Sequence, residues 1–162
     1  MSKRSLESFK LDAFLPYRLS IASLAVSSLI ASAYAKRFGL SIPEWRLVAV
    51  LHEDKSATQK ELVRRTLMDK VAVSRAAQSL EDRGLIQRKD DAKDGRALRA
   101  SLTTAGHALF SAIEPAALAY ERRLLQSFAK TEIKQLHDML RRLEEAAENA
   151  SVDEPHSGAG GG

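Results

Sequence analysis

Asp69-Lys-Val-Ala-Val-Ser-Arg-Ala-Ala-Gln-Ser-Leu-Glu-Asp-Arg-Gly84 is the stretch on which the fold turns. Asp69 can cap a helix start and Gly84 suits the residue just past a helix end. At 100° per residue the helix between them divides cleanly. Val73, Ala76, Ala77 and Leu80 share one face and are expected to bury. Val71, Ser74, Arg75 and Gln78 share the opposite face, with Lys70 at its N-terminal edge. A short, capped, amphipathic helix of this kind needs neighbours to cover its apolar side.

Those neighbours are marked on the N-terminal side by two capping boxes. Ser41-Ile-Pro-Glu44 opens a helix through Trp45, Leu47, Val48 and Leu51 to about Glu53, with Pro43 in its first turn. Thr58-Gln-Lys-Glu61 opens a shorter one that ends near Leu67. Three short capped helices with brief connectors are the pattern of a helix-turn-helix core. Beyond Gly84, Leu85–Arg88 and Leu98–Leu102 read as two strands around the polar run 89–96, with an Asp94-Gly95 turn signal. Thr103 or Thr104 then caps a long helix through Leu125, in which Pro115 predicts a bend. A last helix begins near Thr131, and Ile133, Leu136, Leu140, Leu143 and Ala147 form a seam on it.

The N-terminal part carries an uncharged run, Leu19–Ala35, preceded by basic residues and ending Ala33-Tyr34-Ala35. It fits a secretory signal or a short membrane span. It also fits a soluble helix with a partner, because Leu15, Leu19, Ala22, Val26, Leu29 and Ala33 repeat at alternating steps of four and three. Five serines dilute the apolar run, and Pro16 and Arg18 prevent its extension. It is read as a dimerisation helix in a soluble, cytoplasmic protein with no membrane partner. The expected fold class is mainly α with a small β-hairpin wing: a winged helix-turn-helix embedded between terminal dimerisation helices. The expected organisation is one domain over 1–149. Within it, 12–38 and 104–149 are dimerisation helices and 41–102 a DNA-binding lobe, with a disordered tail over 150–162.

The charge supports the same division. The chain of 162 residues carries a net charge of +4, but Lys55 to Arg99 holds twelve basic and seven acidic residues, so the rest is close to neutral. A basic middle between near-neutral ends points to a polyanion. The outward face of the 70–83 helix holds what a major-groove reader needs. Arg75 can donate twice to guanine, Gln78 can pair with adenine, Ser74 can bond a base or phosphate, and Val71 can touch a thymine methyl. At the hairpin tip, Lys93 and Arg96 flank Asp94-Gly95, and an arginine on a narrow protrusion suits the minor groove. Asp94 is expected to bond backbone amides or Arg96 within the turn. The plain alternative for each set is a solvated face and an ordinary turn.

Catalytic chemistry finds no support. There are no cysteines, which excludes disulfides, a thiol nucleophile and a cysteine-based metal site. His52, His107, His137 and His156 form no metal-binding spacing, and no glycine-rich phosphate loop is present. No enzyme activity, cofactor or metal is expected. Arg18 stands out as a guanidinium on a largely apolar helix beside Tyr17, with Ala22 and Ala25 leaving space. Burial there is costly without a partner. An anionic ligand could supply it, with Trp45 as an aromatic wall; so could a structural salt bridge across a dimer. Lys36-Arg37 suits the helix C-terminus electrostatically, and could also hold an effector phosphate.

Ile42-Pro-Glu-Trp-Arg46, Asp69-Lys-Val-Ala-Val-Ser-Arg75, Leu80-Glu-Asp-Arg-Gly-Leu-Ile86, Asp94-Gly-Arg96 and Leu102-Thr-Thr-Ala-Gly106 together resemble the MarR family of bacterial transcription regulators. The resemblance spans about Phe14 to Glu148. It implies an obligate homodimer on pseudopalindromic double-stranded operator DNA, and usually repression relieved by a small phenolic or aromatic acid. The chain departs from the cysteine-sensing branch. Its Phe14-Leu-Pro-Tyr-Arg-Leu-Ser20 opening is similar to members that control aromatic-acid (hydroxycinnamate) catabolism, some of which respond to CoA thioesters. The alternative reading is an architectural DNA-binding protein without an effector.

Overall fold

The computed structural model describes residues 9–93 and 95–152. A 3-10 turn (Leu11–Ala13) leads into α1 (Leu15–Phe38), then α2 (Ile42–Asp54), β1 (Ser56–Thr58), α3 (Gln59–Thr66) and α4 (Lys70–Asp82). β2 (Ile86–Asp90), β3 (Leu98–Leu102), α5 (Thr104–Leu124) and α6 (Lys130–Val152) follow. The protein is mostly helical, with one small antiparallel sheet in the order β1-β3-β2. β2 and β3 form the expected hairpin, with Ile86 opposite Leu102 and Asp90 opposite Leu98. β1, which the sequence does not announce, adds a third strand through Ser56 opposite Ser101 and Thr58 opposite Arg99.

Both capping boxes form as their spacing predicts, at Ser41 with Glu44 and at Thr58 with Glu61. Thr103 begins α5: its hydroxyl accepts the Gly106 amide at 3.1 Å and donates to the Gly84 carbonyl at 2.6 Å. α5 continues through Pro115, whose missing N–H leaves the Ser111 carbonyl without its helical donor.

The chain divides into two compact units between Ala117 and Leu118, where the sequence reading has one domain. The reason lies in where burial occurs. Every fully buried large side chain among the described residues belongs to the first unit, including Leu40, Leu47, Leu51, Leu62, Val73, Leu80, Ile86 and Ile113. Each contributes about 1.5–3 kcal/mol on burial. Among the residues of α6 whose burial is described, none is buried; Ile133 and Leu143 are half-buried, while Leu136 and Leu140 stay exposed. α6 also extends to Val152, three residues past the expected end of the domain at 149, and the rest of the expected tail lies outside the described residues.

α1 is long and apolar enough to cross a membrane, with a mean hydropathy of 1.4 in its most apolar window. Its C-terminal turns nevertheless have a role in the first unit. Tyr34, the centre of the Ala-Tyr-Ala segment, is buried in the core, with its ring 5.1 Å from Trp45. Gly39, in the left-handed region at φ 62°, ends the helix by donating to the Ala35 carbonyl. Leu15, Leu24 and Leu29 remain exposed on the rest of α1.

Candidate nucleic-acid interface

α3 and α4 meet through a tight turn at Leu67, which adopts a left-handed conformation (φ 53°) although it is not glycine. Its side chain is 87% exposed. Asp69 then caps α4 by accepting the Ala72 amide at 2.8 Å. Gln59 spans the turn from α3, donating from Nε2 to the Lys70 carbonyl at 3.4 Å. At the other end Gly84, at φ 67°, releases the chain into β2.

The two faces of α4 fall as its periodicity predicts. Val73, Ala76, Ala77 and Leu80 are buried, and Lys70, Val71, Ser74, Arg75 and Gln78 are exposed. Val71 is 57% exposed, an uncovered apolar side chain in the middle of a polar face. Arg75 forms no ion pair among the described residues, so its guanidinium is available to a ligand. Gln78 differs from the expectation of an open amide. Its Nε2 donates to Asp82 Oδ1 at 2.8 Å, and its Oε1 accepts from Arg88 Nη2 at 2.7 Å. Arg88 is anchored in turn on Glu81, with Nε donating to Oε2 at 2.8 Å. That hydrogen bond, followed by the charge of Arg88, holds the Glu81 carboxyl below its ordinary range.

At the hairpin tip Lys93, Gly95 and Arg96 are exposed; Asp94 lies outside the described residues. The acid seen to organise the tip is Asp91, which the sequence reading did not single out. Its amide donates to the Ala97 carbonyl at 2.9 Å, and its Oδ1 accepts the Lys93 amide at 3.1 Å. Arg99 lies 3.6 Å from the same carboxylate and 3.3 Å from Glu61, and donates to the Ser56 carbonyl at 3.2 Å. One guanidinium thus ties the wing to α3 and β1. The Lys93 amide, and then Arg99, keep the Asp91 carboxyl below its usual range. Only spacing in the fold, not in the sequence, brings these four residues together.

A groove of about 780 Å³ runs between α3, α4 and the wing. Lys60, Arg64, Arg88, Lys93, Arg96 and Arg99 line it, against the acids Glu61 and Asp91. This is where the basic excess of the middle of the chain collects, and its sign suits a phosphate backbone.

A buried carboxylate links α2 to α4 from behind. Glu44, 7% exposed, accepts from the Ser41 amide (2.7 Å), the Ser41 hydroxyl (2.9 Å) and the Ser79 hydroxyl on α4 (2.6 Å). Arg83, 3.6 Å away, also donates to the Gly39 carbonyl. Burial alone raises the Glu44 carboxyl, but the hydrogen bonds from Ser79 and Ser41 with the charge of Arg83 outweigh it and hold it low. The sequence shows Glu44 only as half of a capping box.

The residues expected to hold an effector are not gathered within one chain. Arg18 is exposed, so the cost of burying its charge does not arise in the single chain. Tyr17 is half-buried beside it. Trp45 packs on Tyr34, sixteen residues further along α1, which is roughly 24 Å at 1.5 Å per residue. There it joins an aromatic row, stacked on Phe110 at 5.9 Å, with His52 stacked on the same ring at 3.7 Å. Lys36 and Arg37 are exposed, and Arg37 sits over the Phe38 ring at 5.3 Å.

The comparisons with known proteins agree with this architecture. A family model described as the MarR family matches residues 38–97, the span from the end of α1 through the wing. A solved probable transcriptional regulator from Pseudomonas aeruginosa is 32% identical, with a TM-score of 0.72, over 83% of this chain and 99% of that one. A MarR/EmrR family transcriptional regulator from Acinetobacter sp. ADP1 is 25% identical, with a TM-score of 0.81, over 87% of this chain and 99% of that one. Among curated proteins, the HTH-type transcriptional repressor Rv2887 of Mycobacterium tuberculosis is 29% identical over 112 residues, covering 69% of this chain and 81% of the relative. These relatives are transcriptional regulators rather than enzymes, and the family's members are soluble proteins that bind operator DNA as dimers. With a winged helix-turn-helix, a basic groove beside its exposed α4 and a match across 99% of a solved regulator, this chain belongs to the MarR family of transcriptional regulators.

Proposed function

We propose that the protein is a homodimeric repressor that reads a pseudopalindromic operator with α4 and the wing. The observation that carries this is the outward face of α4, where Lys70, Val71, Ser74, Arg75 and Gln78 stand exposed over a buried opposite face. Arg75 and Ser74 are the base or phosphate contacts at the front of the helix, Val71 meets a thymine methyl, and Gln78 reads a base from its tied position. Lys93, Asp94, Gly95 and Arg96 form the wing tip that follows the minor groove. Two such lobes in a dimer fall about 34 Å apart on one face of the duplex. The dimer rests on the exposed apolar side chains of α1 and α6, such as Leu24, Leu29, Leu136 and Met139. Selection from randomised duplexes tests the reading. An inverted repeat bound by a dimer supports it, whereas a monomer in sedimentation at micromolar concentration, or binding without sequence preference, removes it.

The effector we propose is a small aromatic carboxylate or its CoA thioester. Arg18 supports this choice, because it has no ion-pair partner among the described residues and stands on an apolar helix surface beside Leu15, Leu19 and Ala22. Packing that surface in a dimer leaves a guanidinium in need of an anion. Tyr17 adjoins it, Trp45 offers an aromatic wall, and Lys36 and Arg37 would serve a thioester's phosphates. A ligand releases DNA only if it binds the DNA-competent and incompetent arrangements unequally. Arg18→Ala is therefore expected to leave operator affinity intact and to abolish release by added aromatic acid. Release at the wild-type ligand concentration assigns Arg18 to structure instead.

A further inference from the structure

Gln78 is the one exposed residue of the α4 reading face whose side chain is held at both ends. A guanidinium can only donate and a carboxylate can only accept. The bonds to Arg88 and Asp82 therefore fix which end of the amide is oxygen and which is nitrogen. The amide keeps one N–H and one lone pair for a base. A glutamine without such partners can turn its amide over and meet either order of donor and acceptor on a base edge. Gln78 cannot do so without breaking both bonds.

Arg88 suits this task because its own position is set first. It leaves β2 toward α4 with its side chain 24% exposed, and bonds Glu81 through Nε at 2.8 Å and again through Nη2. The planar fork serves the Glu81 carboxylate and the Gln78 amide from one rigid group, which a lysine's single ammonium does less well. Glu81 and Gln78 lie three residues apart, so they sit side by side on the helix.

We propose that Arg88 is a specificity-determining positioning residue: anchored on Glu81, it fixes the sense of the Gln78 amide and thereby the base preferred at one operator position, without touching that base. The proposal rests on the reading of α4 as the DNA-contacting helix, and assigns the source of its selectivity at one position.

The test measures binding of wild type, Gln78→Ala, Arg88→Met, Arg88→Lys and Glu81→Gln to the selected operator and to every single-base-pair variant of it. Gln78→Ala identifies the position read by Gln78 through the loss of its preference, roughly ten-fold for one good base contact. Arg88→Met is expected to lower the preference at that same position to below about two-fold of the alternatives, within the range of a lost contact, with the other positions unchanged. Glu81→Gln keeps an acceptor for Arg88 and should retain the preference; Arg88→Lys should retain part of it. Thermal melts confirm that each variant is folded, and Arg88→Lys carries the test if Arg88→Met is not. An unchanged preference in Arg88→Met overturns the proposal. So does equal loosening at every position, which makes Arg88 merely structural, or a Gln78→Ala variant with no altered position. A wild type without any sequence preference is a separate result, because it removes the DNA-reading function itself.

Discussion

Gly106 offers the sharpest test of how the wing is seated. It lies in the first turn of α5, where that helix passes close to the chain entering β2. A Cβ added at Gly106 would lie 2.1 Å from the Leu85 carbonyl oxygen and 3.2 Å from Leu102 Cδ2. The first of these is a backbone atom, so Gly106→Ala requires the main chain to move by about 1 Å to restore van der Waals contact. Overpacking of that kind costs about 1–3 kcal/mol. The same carbonyl accepts the Thr103 amide at 3.1 Å, and disturbing that bond adds about 0.5–1.5 kcal/mol. The better helix propensity of alanine returns at most about 1 kcal/mol. The three ranges leave a net loss of about 0.5–4.5 kcal/mol, about 2 kcal/mol near their centre. With a urea m-value of about 1–3 kcal/mol/M, the unfolding midpoint should fall by about 1 M at an unchanged slope. Because Leu85 leads directly into β2, operator affinity should fall as well. A midpoint equal to or above that of wild type, outside the range above, would falsify the close approach and the account of the wing that rests on it.

Arg75→Ala should cost about 1–3 kcal/mol at a single base pair and relax the preference there; equal weakening on specific and random duplexes would reassign it to a phosphate. Leu67→Gly should raise the thermal midpoint, since it relieves a left-handed leucine worth roughly 1–2 kcal/mol at a small cost in unfolded-chain entropy; a lower midpoint would show that Leu67 is held by contacts its exposure does not reveal. Glu44→Gln should flatten the acid limb of the stability curve. The Glu44 carboxyl is held below its ordinary value of 4.5, so its contribution is complete above that pH and is lost as pH falls through the lower folded value. Melts between pH 6 and pH 3 should converge for the two proteins at the acid end, and parallel curves would show that Glu44 does not titrate with unfolding.

Much of the fold is legible because its signals are local. A capping box needs four consecutive residues, and those at Ser41 and Thr58 form where the sequence puts them. The burial of Val73, Ala76, Ala77 and Leu80 follows from one helix's period. β1 was not legible for the opposite reason: three residues are too few to show alternation, and Ser56 finds its partner in Ser101, far along the chain. The division at Ala117 was hidden too, because a seam such as Ile133, Leu136, Leu140 and Leu143 reads alike whether its partner is the same chain or another.

The reading face shows the same limit at the level of single side chains. Periodicity decides which residues of α4 point outward, but not which of those are already engaged. At the front of the helix Lys70, Ser74 and Arg75 make no ion pair among the described residues, which on the proposed reading leaves their donors to DNA. At the back, Gln78, Glu81 and Asp82 are bound into a network reached only through Arg88 on β2. The outward side chains of the helix are therefore unpaired at its N-terminal end, among the described residues, and tied at its C-terminal end. Ordering the front on DNA costs side-chain entropy at the moment of binding, whereas the back has lost that entropy on folding. Selectivity built on the front can be shared among related sequences by rotamer change. On the proposed reading, selectivity at Gln78 depends on the wing keeping its place, because Arg88 on β2 holds the Gln78 amide.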